Sequence, residues 1–117
     1  MVSSALNVRI AVTDLDRAEL EQLFDLLGEK LMERQGPESS LLDHSVSIDL
    51  GTGVIEITVT TSAKSEREAQ VLADYYVNDV LTSSGGVYSA AAEEQHQKDA
   101  FPPEFGIEVT AHELVAV

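Results

Sequence analysis

The chain carries three histidines, His44, His96 and His112, and no cysteine. No two of these histidines stand three or four residues apart, so a zinc site of ordinary spacing is absent. The densest group of chemistry-bearing residues is Glu93, Glu94, His96 and Asp99. On a helix, His96 and Asp99 would share a face able to hold a hard divalent ion, but a charged run of this kind is ordinarily a solvated face. No serine occupies a G-x-S-x-G elbow. Gly51-Thr52-Gly53 lacks the lysine and the following helix of a phosphate loop and reads as a turn between two strands. Carboxylates abound, so a pair of them says little, and a glycosidase pair needs a deep cleft. These residues predict no catalytic group, no cofactor and no metal site.

The charge balance narrows the partners. In 117 residues there are 21 acidic and 7 basic side chains, a net charge of −14. Such a surface repels phosphates and anionic lipid heads, which argues against nucleic acid and membrane as partners. Acidity of this size keeps a small domain soluble, and it also suits a basic protein partner. No apolar run approaches the roughly 20 residues that span a bilayer. Met1-Val2-Ser3-Ser4 lacks the basic and apolar regions of a signal peptide, so a cytoplasmic location is expected. The 44% apolar content suits one globular domain over residues 1–117.

The elements that would position any site follow from periodicity. Leu6, Val8, Ile10 and Val12 alternate on one face of a strand. Asp16 and Glu19 have the spacing of a helix-starting capping box. Leu20, Leu23, Phe24, Leu27 and Leu31 then form a helical stripe that Gly36-Pro37 ends. His44 to Leu50 and Val54 to Thr61 alternate as two strands joined by Gly51-Thr52-Gly53, an antiparallel hairpin. Ser65 and Glu68 open a second helix whose predicted stripe is Ala69, Leu72, Ala73, Tyr76, Val80 and Leu81. Phe105 to Val117 closes the chain as an edge strand, with Ile107, Val109, Ala111, Val115 and Val117 in phase and a bulge expected near His112-Glu113.

The order strand, helix, strand, strand, helix, strand predicts a ferredoxin-like βαββαβ sandwich, a four-stranded antiparallel sheet with two helices on one face. Ile10, Leu23, Leu27, Ile48, Ile57, Leu72, Tyr76 and Val109 are the expected core. The outer sheet face should show Arg9, Ala11, Ser45, Ser47, Glu56, Thr58, Glu108, Thr110 and His112. No aromatic is among them, so the base-stacking surface of an RNA-recognition sheet is missing. The loop Thr13-Asp14-Leu15-Asp16-Arg17 puts carboxylates where an anion-binding loop of this architecture would need none.

Residues 87–104 form an insert before the last strand, long for a connection in so short a chain. Ser89-Ala90-Ala91-Ala92-Glu93-Glu94 favours a short helix there, and Tyr88 and Phe101 are two of six aromatics in the chain. The partner-binding residues expected from this are Tyr88, Glu93, Glu94, His96 and Phe101. The sequence thus predicts a non-enzymatic acidic binding or regulatory protein that acts through protein contacts, as a homodimer. One alternative is an acidic inhibitor or immunity-type protein masking the basic surface of a nucleic-acid-processing partner. A second is a small ligand-binding domain or enzyme with its site under the 87–104 insert.

Overall fold

The computed structural model describes residues 1–36, 38–88 and 105–116. Their order is β1 (Val2–Thr13), α1 (Arg17–Arg34), β2 (Leu41–Asp49), β3 (Val54–Ala63), α2 (Glu66–Ser83), β4 (Gly86–Tyr88) and β5 (Phe105–Ala116). Four strands make the predicted antiparallel sheet in the order β2-β3-β1-β5. This is the ferredoxin-like arrangement. Short β4 adds a fifth strand, parallel to β5 and paired with it from Phe105 to Ile107. The start of β5 is therefore not the sheet edge that the sequence suggested.

Local chemistry fixes the helices. The Asp16 carboxylate accepts from the Glu19 N–H at 2.8 Å, and the Glu19 carboxylate accepts from the Asp16 N–H at 3.0 Å. The capping box thereby satisfies two otherwise orphaned donors. Leu20, Leu23, Leu27 and Leu31 are buried along one stripe of α1. Ser65 caps α2 by accepting from the Glu68 N–H at 3.2 Å. On α2 the buried stripe is Ala69, Ala73, Val77, Val80 and Leu81, while Leu72 and Tyr76 are only half-buried. Arg34 pairs with Asp79 at 3.0 Å, and Lys30 donates to the Ser83 carbonyl at 2.8 Å, so polar contacts join the two helices.

The hairpin turn is built by Asp49. Its carboxylate accepts from the N–H groups of Gly51 and Thr52, and its carbonyl accepts from Gly53 at 2.8 Å. Gly53 takes the positive φ of 73° that the turn needs. β2 begins at Leu41, three residues earlier than expected, and Leu50 falls in the turn. The inward side chains of β3, Ile55, Ile57 and Val59, are fully buried with Leu6, Val8 and Ile10 of β1.

The last strand departs from its predicted phase. Arg9 pairs with Ala111 and Ile10 with Val109, so Thr110 is an extra residue in β5. The bulge lies two residues before the expected position. The Thr110 hydroxyl donates to the Arg9 carbonyl at 3.2 Å across it. One inserted residue exchanges the faces of everything that follows. Ala111 thus shares the outer face with Arg9, and His112 shares the helix face with Val8, opposite to the expectation. Ile48 is half-buried, and Val109, assigned to the core from sequence, is 44% exposed.

Candidate functional site

The helices do not cover the sheet evenly. α1 lies over β2, and α2 lies over β1 and β3. The helix-side face of β5 is left half open, with Val109 and Leu114 each 44% exposed. The groove between α2 and β5 is a cavity of about 310 Å³ lined by Val8, Asp74, Val77, Asn78, Leu81, Val109 and His112. That volume lies at the lower end of small-molecule sites.

Each lining residue has a local cause. Asp74, Val77, Asn78 and Leu81 recur at helical spacing on one face of α2. Val8 is buried on β1 directly opposite His112. Val109 stands before the bulge and His112 after it, and only the extra Thr110 brings both to the same face. His112 Nε2 lies 2.7 Å from Asp74 Oδ1, joining strand to helix. The groove therefore has an apolar bed and three convergent polar groups.

The other face of the sheet is open to solvent and carries polar pairs. Arg9 Nε donates to Glu56 Oε2 at 2.6 Å, and Asn7 Nδ2 donates to Thr58 Oγ1 at 2.8 Å. The Arg9 hydrogen bond, with help from Asn7, holds the Glu56 carboxyl below its ordinary value. Among the described residues no group of three or more His, Asp or Glu side chains is arranged to hold a metal ion. No described helix is long and apolar enough to cross a membrane.

The expected contact residues Glu93, Glu94, His96 and Phe101 lie outside the described residues, as does the side chain of Tyr88, whose backbone ends β4. Sequence reasoning missed Asp74, Asn78 and His112. The first two form an i, i+4 polar pair beside an apolar stripe, a signal too common to single out. His112 was placed on the outer face because the bulge was placed after Thr110.

Neither a family model nor a curated protein matches the chain. Solved structures do. A candidate antibiotic biosynthesis monooxygenase from Chloroflexus aurantiacus superposes with a TM-score of 0.50 at 15% identity, over 98% of this chain and 92% of that one. SnoaB, a cofactor-independent oxygenase from Streptomyces nogalater, gives 0.47 at 12% identity, over 100% and 94%. A dimeric ferredoxin-like protein from an uncultured marine organism gives 0.40 at 12% identity, over 98% and 85%. The first of these agrees with the strand order in showing the fold.

The expectation of a non-enzymatic protein acting through protein contacts is corrected at this point. The chain shares its fold with a candidate monooxygenase, and Asp74, Asn78 and His112 line one groove together with apolar side chains. The groove favours the alternative of a small ligand-binding domain or enzyme. Of the insert expected over residues 87–104, Val87 and Tyr88 end β4, and residues 89–104, with the short helix and the site expected there, lie outside the described residues.

Proposed function

We propose that this chain is a small-molecule binding and catalytic domain whose site is the groove between α2 and β5. The observation that carries this reading is the meeting of Val8, Val77, Leu81 and Val109 with Asp74, Asn78 and His112 around one cavity. Apolar walls with a few convergent polar groups are the usual build of such sites. Monooxygenation, the activity given to the Chloroflexus protein, is the reaction class this reading brings to the groove.

The test is a titration with a neutral two-ring probe, 2-methoxynaphthalene, followed by methyl NMR. Saturable shifts are expected at Val8, Val77, Leu81 and Val109. Val109→Trp should fill the groove from its exposed side and weaken binding about tenfold or more, with the fold intact by circular dichroism. Shifts that do not saturate, or that Val109→Trp leaves unchanged, remove the groove as the site.

A further inference from the structure

The pairing of Asp74 with His112 goes further, and it rests on the groove being the site. A carboxylate only accepts hydrogen bonds, so the 2.7 Å contact places a proton on His112 Nε2. In the neutral ring, Nδ1 is then a bare acceptor. The same carboxylate holds the ring's orientation, as an orienting acid does for a histidine in other sites. Thr110 is what makes this possible, since without the bulge residue His112 would stand on the outer face.

We propose that the groove selects a neutral lipophilic molecule bearing a hydroxyl group, with His112 Nδ1 accepting the hydroxyl hydrogen bond and Asp74 positioning the ring. The apolar bed of Val8, Val77, Leu81 and Val109 takes the hydrocarbon. Asp74 and a chain charge of −14 disfavour a carboxylate ligand of the same shape. A hydroxyl matches the site because Nδ1 of the ring protonated at Nε2 can only accept, and a hydroxyl donates where an ether or a carboxylate does not. The contact also defines a chemical step for an acidic hydroxyl. The O–H bond breaks, its electron pair stays on oxygen, an N–H bond forms at Nδ1, and the Asp74 carboxylate offsets the imidazolium charge.

Three probes of one shape test this: 2-naphthol, 2-methoxynaphthalene and 2-naphthoate. On apolarity alone the methyl ether should bind best. The proposal expects the naphthol to bind about tenfold tighter than the ether, the size of one net hydrogen bond. It expects the naphthoate to bind weakest. In His112→Leu that preference should vanish while the ether binds within about twofold of its original affinity. His112→Phe repeats the test with a flat ring. In Asp74→Ala the preference should fall about threefold, because the ring is then free to present either tautomer. A naphthol preference that survives both His112 replacements overturns the proposal, as does tighter binding of the naphthoate. Equal weakening of naphthol and ether would make the pair a strut between α2 and β5 and nothing more, which also overturns it. If the ether binds with no hydroxyl preference, this inference falls and the groove stands. If neither neutral probe binds, the groove falls with it.

Discussion

β3 and β5 flank β1 in the same way, both antiparallel, both offering alternate side chains to the helices. Their fates differ. Ile55, Ile57 and Val59 of β3 are 0% exposed, whereas Val109 and Leu114 of β5 are 44% exposed. The pairing of β1 with β3 runs without interruption from Val2 to Ala11, while that with β5 shifts at Arg9/Ile10. α2 packs on β1 and β3, so the β3 flank is sealed, while β5 is buried at Phe105 and Ile107 and opens into a groove from Val109 onward. A strand's alternation states which residues share a face. It does not state whether a helix will reach that face. The flank left uncovered is where binding chemistry has room.

The largest effect should come from a paired truncation across β1. Ile57→Ala removes three buried carbons from a packed core and should cost about 2–5 kcal/mol. Val109→Ala removes two half-exposed methyl groups and should cost about 1 kcal/mol or less. Urea unfolding of both variants measures the difference. Equal losses would break the contrast between flanks, because β5 would then be as covered as β3. A smaller effect is expected where β5 begins. A Cβ on Gly86 would clash with the Ile107 Cδ1 and meet the Leu81 carbonyl oxygen at 2.8 Å. The second neighbour is backbone and cannot turn away, so Gly86→Ala should cost about 1–3 kcal/mol. A Cβ on Gly106 instead meets the Thr13 hydroxyl, the end of a side chain that can rotate. Gly106→Ala should therefore cost less, and the opposite order of midpoints would mean that β4 is held loosely against β5.

The sheet was legible because its signals are local. Alternation at Leu6, Val8 and Ile10, the Asp16–Glu19 capping box and the Gly51-Thr52-Gly53 turn each specify structure within a few residues. Element order then leaves few topologies. The candidate groove was not legible, for a physical reason. Its face assignment depends on one extra residue, and Thr110 carries no mark that separates it from any strand threonine. Threonine suits a strand whether it is paired or bulged. Placing the bulge at His112-Glu113 instead moved His112 to the wrong face and hid its partner Asp74 on α2. The burial of Val109 was misjudged on a related ground, since apolar phase reports a face and the lateral offset of α2 decides exposure.

The smallest effect concerns the outer face, where the two flanks of β1 differ in charge. Arg9 has Glu56 beside it on β3 and Ala111 opposite it on β5. The guanidinium hydrogen bond at 2.6 Å lowers the Glu56 carboxyl from its ordinary value of 4.5, with Asn7 acting in the same direction. The folded chain therefore ionises Glu56 at a lower pH than the unfolded chain does. Where the folded state releases a proton more readily, stability rises with pH across the interval between the two values. The contribution is full above the unfolded value and fades as pH falls through the folded one. The pair is solvent-exposed, so its effect is small and screened by salt. Glu56→Gln keeps the side-chain shape and removes the titration. Its unfolding midpoint should drop below that of the parent chain near neutral pH and converge with it under acid conditions, more visibly at low salt. Ala111 offers nothing to titrate, so Ala111→Ser should track the parent chain at every pH. A gap between Glu56→Gln and parent that stays constant as acid is added would mean that Arg9 and Glu56 meet through packing alone, and that the two flanks of β1 differ in burial without differing in charge.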